Sequence, residues 1–164
     1  MFDFPKERAT PAVEATCRCL NRWIGQDQGG HIAQAKALPL RRDATTLLTY
    51  LRDNKVVGTQ STGNLPLKDV HKVTARFVHP PKLERIIGGQ TFRVRSEDKV
   101  WPLVFLHTLA ITGKLLEGGP ARRWRLTQYG EKFLVVAPPV QIWALFATWW
   151  DQADWIMAYP FVGM

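Results

Sequence analysis

Three cations recur at the spacing of a single helix face. Lys68, Lys72 and Arg76 stand at i, i+4 and i+8, so a helix over 65–77 would carry them along one side. A second set, Arg122, Arg123 and Arg125, follows Gly118-Gly119-Pro120, and Arg93 and Arg95 alternate with Phe92 and Val94. Cations in these arrangements can neutralise phosphates, which is the sequence-independent part of nucleic-acid binding. The alternative is a solvated basic face with no partner.

Bond-making chemistry has no comparable footing. His31, His71, His79 and His107 are scattered, without the HxxxH or HExxH spacing of a metal site. His107 falls in a strongly apolar segment and is expected to be a core histidine with its hydrogen bonds met. Cys17 and Cys19 point to different sides of any helix, and two ligands do not make a zinc site. They read as small thiols in a reducing compartment. Gly88-Gly89 and Gly118-Gly119 lack the strand-to-helix setting of a phosphate loop, and no serine or cysteine sits in a nucleophile elbow. The expectation is a protein that is not an enzyme and uses no cofactor and no metal.

The bulk composition suits a binding role. The 164 residues carry a net charge of +8 and are 46% apolar, enough for one domain with a core. The charge is concentrated: residues 41–95 hold eleven Lys or Arg against four Asp or Glu, and residues 96–164 hold six of each. A basic central third favours acidic partners. The N-terminus lacks the apolar stretch of a signal peptide. The longest apolar run, Ile142–Trp150, is about half of the ~20 residues that span a bilayer. A cytoplasmic protein, bacterial in style and without a membrane partner, is expected.

The elements that must position these residues follow from pattern. Thr10-Pro11 starts a helix carrying Val13, Cys17, Leu20 and Ile24, which ends at Gly29-Gly30. Residues 31–40 connect it, with a turn of helix at 32–37. Asp43 caps a helix over 44–52, residues 55–60 form a brief strand, and a turn at 61–64 leads to the basic helix 65–77. Residues 78–95 are irregular up to a short strand at 91–95. Ser96, Glu97 and Asp98 then open an apolar helix that Gly113 stops in left-handed conformation. A hairpin over 114–126 follows, with Trp124 and Leu126 on one face and Arg123 and Arg125 on the other. Thr127 caps the next helix, and Pro138-Pro139 opens a last one to about Ala153 that holds Trp143, Phe146, Trp149 and Trp150.

The order helix, strand, helix, helix, hairpin resembles a winged helix. The run Leu126-Thr127-Gln128-Tyr129-Gly130-Glu131-Lys132-Phe133-Leu134 is similar to the Leu-Thr-x-x-Gly-x-x-x-Leu run that closes the wing in many such domains. More narrowly, Thr59–Pro66 before a basic helix and Arg95-Ser96-Glu97-Asp98 before an apolar one resemble an uncharacterised bacterial family carried by plasmids and insertion elements. The resemblance implies a mainly α fold: a winged-helix-like core over 41–136, made of three helices and a short sheet with a β-hairpin wing. An N-terminal helical extension over 1–40 and a Trp-rich C-terminal helix over 137–164 complete it.

Two departures bear on function. The segment between the second and third helices is long, and the helix in the reading position begins with Glu97 and Asp98, which phosphates repel. DNA binding is therefore expected through backbone contacts with weak sequence specificity, by Lys68, Lys72, Arg76, Arg93, Arg95, Arg122, Arg123 and Arg125. The alternative is a protein-interaction or dimerisation module using Trp143, Phe146, Trp149 and Trp150, since tryptophan-rich helices are favoured interface anchors. These rings could equally fill a core against Trp23. The end at Tyr159–Met164 reads as though more protein follows, so a homodimer or a larger-chain partner is also expected.

Overall fold

A computed structural model describes residues 30–153. The helix read at the N-terminus, Cys17, Cys19, Trp23 and the segment Tyr159–Met164 lie outside the described residues. Within them the chain is mainly helical, with six α-helices and two small antiparallel sheets. The helices are α1 (Gly30–Ala37), α2 (Pro39–Asp53), α3 (Leu67–Thr74), α4 (Trp101–Thr112), α5 (Gln128–Val135) and α6 (Pro138–Ala147). Strands β1 (Glu84–Ile87) and β2 (Gln90–Arg93) form one hairpin, and β3 (Leu116–Gly119) and β4 (Arg122–Leu126) another. No helix among the described residues is long and apolar enough to cross a membrane.

Helix α2 is the axis of the fold and touches each of the other five helices and β4. Its buried stripe, Ala44, Leu47, Leu48 and Leu51, recurs at helical spacing. Around it pack Val70 and Val73 of α3, Leu103, Leu106 and Leu109 of α4, and Phe133 of α5. A polar staple closes the far side. The buried Gln141 side chain donates to the Phe133 carbonyl (2.6 Å) and accepts from Arg41 Nε. It thereby satisfies a carbonyl near the end of α5 and ties three helices together.

Several boundaries differ from the sequence reading, each for a local reason. Gly30 is the first residue of α1, a helix longer than the single turn read at 32–37. Helix α2 starts at Pro39, where a missing N–H costs nothing. Asp43, freed from capping, accepts the Val78 N–H (2.7 Å) and holds the segment after α3. The strand expected at 55–60 is reduced to two bridges, Val57 with Arg123 and Gly58 with Pro120. Helix α3 ends at Thr74, so Arg76 stands beyond it. Gly113 keeps φ −73, and Lys114 takes the left-handed turn at φ 55. The cap at Thr127 is as read: its hydroxyl accepts from the N–H groups of Tyr129 (3.1 Å) and Gly130 (3.2 Å).

Candidate nucleic-acid interface

The loop before α3 and the β3–β4 hairpin are joined along their backbones. The Trp124 N–H donates to the Val56 carbonyl and the Gly58 N–H to the Arg122 carbonyl, both at 2.9 Å. The loop itself is closed by Thr59 N–H to Asn64 carbonyl (2.8 Å) and Gly63 N–H to Thr59 carbonyl (2.9 Å). Trp124, buried on the inner face of β4, sends its indole N–H to the Gly63 carbonyl (2.7 Å). The approach is too close for side chains. A Cβ on Gly58 would lie 2.4 Å from the Gly119 oxygen and 2.6 Å from that of Gly63. Gly58→Ala is expected to cost about 3 kcal/mol by forcing the loop off the hairpin, a loss that urea unfolding followed by circular dichroism would measure.

Beneath this junction lies a buried polar cluster. Glu97 is 3% exposed. One carboxylate oxygen accepts the Leu65 N–H, and the other lies 2.6 Å from His107 Nδ1. The imidazole meets the Trp124 indole edge to face, with ring centroids 4.5 Å apart. The carboxylate thus links the start of α3, the segment leading into α4, and α4 itself. This corrects the reading of Glu97 as a carboxylate turned towards phosphates: it faces inward. His107 is the expected core histidine only by half, because its Nε2 is buried with no hydrogen-bond partner among the described residues. A cleft of about 200 Å³ above the pair is lined by Thr62, Asn64, Asp98, Thr108 and Ile111. No group of three or more potential metal ligands occurs among the described residues.

The cations divide into engaged and unengaged. Arg125 is held by Glu117 (2.7 Å), Arg93 by Glu84 (2.9 Å), and the Arg76 guanidinium lies 5.6 Å from the centre of the Tyr50 ring. Lys68 and Lys72 on α3, and Arg122 and Arg123 on β4, are exposed and form no ion pair among the described residues. Arg95 is likewise exposed. The glycine junction places the hairpin's turn directly on the loop that opens α3, so two cationic stretches about fifty residues apart in sequence belong to adjoining elements. On α4 the exposed positions are Trp101, Pro102 and Ile111. None of them is an Arg, Lys, Asn or Gln able to make the bidentate base-edge contacts of a reading helix, and only Trp101 carries a donor at all.

Where α2 meets α3, the buried Tyr50 hydroxyl donates to Asp69 Oδ1 (2.6 Å). Burial first, then the Asp69 bond and charge, push the phenol up to about 12 from its ordinary 10.0. The folded state therefore favours the neutral phenol more than the unfolded chain does. Its contribution to stability is complete below about pH 10 and is lost as pH rises towards about 12. Urea midpoints taken across that range should fall for the wild type and fall less for Tyr50→Phe.

The four aromatic residues of the C-terminal segment lie together. Phe146 has its ring centre 5.8 Å from Trp143, 5.7 Å from Trp149 and 6.2 Å from Trp150. Trp150 is 72% exposed and Phe146 44%, whereas the indole nitrogen of Trp143 is buried. The cluster is thus half core and half surface.

Sequence reasoning missed the role of Glu97. The signal was present as a carboxylate placed ten residues before the one histidine of the apolar helix. A 3-10 turn at Glu97–Lys99, followed by non-helical backbone at Val100 (φ −113, ψ 78), breaks the periodicity that would have aligned them. Compared with protein-family models, curated proteins and solved structures, the chain matches none.

Proposed function

We propose that this protein binds duplex DNA through phosphate contacts with little base readout, on a winged-helix-like core. In this reading α2, α3 and α4 are the three helices of the motif, β3–β4 is the wing, and the Val57–Arg123 bridge is the remnant of the first strand. The reading rests on the backbone junction between the loop before α3 and the hairpin. That junction gives Lys68, Lys72, Arg122 and Arg123 a common rigid support. Four exposed cations without carboxylate partners among the described residues suit a polyanion, and of the two carboxylates that the sequence set against phosphate, Glu97 is buried and the exposed Asp98 is paired with Lys99 (3.1 Å). The apolar outer positions of α4 argue for weak specificity.

Fluorescence anisotropy with duplex DNA at two salt concentrations tests the proposal. Counterion release predicts a steep fall in affinity as salt rises. Binding that ignores salt, or no binding at low salt, would defeat it.

A second reading, an interaction module, is favoured by the exposed rings of Phe146 and Trp150. Aromatic side chains gathered at a surface suit an interface anchor. Light scattering that detects only monomer at high concentration would count against self-association through them.

A further inference from the structure

We infer that the β1–β2 hairpin is an arm that enters the major groove of duplex DNA tip first and touches base edges with Ile86 and Phe92. The inference rests on the DNA-binding reading above and adds to it a contact outside the α3 and β4 cations. The hairpin is inserted between α3 and α4, where the sequence reading had an irregular segment ending in one short strand at 91–95. Its base is anchored: Leu83 and Val94 pack on the core, and the Val94 N–H donates to the Leu83 carbonyl (2.9 Å). From there it projects. Every residue of β2 is exposed, Ile86 is 76% and Phe92 53% exposed, and the strands pack chiefly on each other. An isolated two-stranded ribbon is marginal in water, so one that leaves large apolar side chains uncovered is suited to a partner.

Charge and shape select that partner. Lys82 and Arg95 flank the arm and are exposed, while Glu84, its one acidic residue, is already engaged by Arg93. The register pairs Ile86 with Thr91 and Arg85 with Phe92. Neighbouring pairs of a ribbon face opposite sides, so Ile86 and Phe92 point away from each other. A flat surface, such as a membrane or most protein faces, can cover only one of them. A groove has two walls. The B-DNA major groove is about 12 Å wide and 8.5 Å deep and admits a two-stranded ribbon. From its anchored base to Gly88-Gly89, both at positive φ in the tight turn, the arm is about 17 Å long and can reach the floor. The apolar group available there is the thymine methyl.

The test is an anisotropy titration of wild type and of the Ile86→Ala/Phe92→Ala variant, each on an A·T-rich duplex and on the same duplex with uracil for thymine. Both positions are exposed, and an unchanged melting temperature would confirm that the variant folds. The variant should bind the thymine duplex about tenfold more weakly than wild type with the same salt slope, because every phosphate-binding cation is retained. Wild type should lose several-fold on uracil, and the variant should not distinguish the two duplexes. Equal affinity of variant and wild type for the thymine duplex would overturn the inference, as would an equal loss on both duplexes. So would binding of wild type but not variant to phosphatidylserine vesicles with duplex affinity unchanged. If wild type shows no salt-dependent duplex binding at all, the DNA reading itself fails. If it does and the variant matches it, only the arm fails.

Discussion

Glu97→Ala is expected to destabilise the fold by about 3–5 kcal/mol, a large share of the total stability of a domain of this size. Both carboxylate oxygens are committed, one to the Leu65 N–H and one to His107 Nδ1. Truncation leaves two buried donors without an acceptor, where the carboxylate they lose is 3% exposed. It also opens a cavity beside the Trp124 ring. Glu97→Gln should cost less, about 1–2 kcal/mol. The carboxamide oxygen can still accept from Leu65, and its NH₂ can donate to Nδ1 once the imidazole carries its proton on Nε2. That change of tautomer has its own signature in the imidazole nitrogen chemical shifts. His107→Ala alone should be costly because it leaves a buried carboxylate half-satisfied. The double variant Glu97→Ala/His107→Ala should therefore cost less than the sum of the two. Additive losses would mean that the residues do not act as a pair.

The same cluster marks the limit of what the sequence discloses. Local rules carried far. The alternation around Trp124 and Leu126 placed Trp124 inside and Arg123 and Arg125 outside, because a strand's period of two leaves little choice. Thr127 was legible as a cap because a side-chain oxygen at that position has orphan N–H groups to accept from. What could not be read was any partner chosen by tertiary contact. Asp43 had the chemistry of a cap and spends it on Val78 instead. Glu97 had the chemistry of a helix-terminal charge, yet folding turns it inward towards a histidine and a loop 32 residues earlier. The β1–β2 ribbon was half legible, as alternation over Thr91–Arg95. Its other strand carries Glu84 and Arg85 next to two isoleucines, which alone decides nothing between strand and loop. The basic residues were legible as residue types. Their division into engaged and unengaged was not, because Glu84 and Glu117 reach Arg93 and Arg125 only across strand pairings.

That division carries the largest expected functional effect. Replacing Lys68, Lys72, Arg122 and Arg123 together by alanine should flatten the salt dependence of duplex binding by three to four units of slope, about 0.9 for each phosphate that is no longer neutralised. Over a fourfold rise in salt, those four cations account for about a hundredfold of the wild-type fall in affinity, and the variant should lack that component. The fold should not suffer, since all four side chains are exposed and hold no ion pair among the described residues. The pairs Lys68→Ala/Lys72→Ala and Arg122→Ala/Arg123→Ala separate two possibilities. If α3 and the hairpin meet one duplex together, each pair removes about two units of slope and the two effects add. If only one pair changes the slope, the junction at Gly58, Gly63 and Gly119 fixes the two elements to each other without presenting them to the same ligand. Arg93 and Arg125 supply the control: a phosphate must first displace Glu84 or Glu117, so removing either arginine should change the slope less than removing an unengaged one.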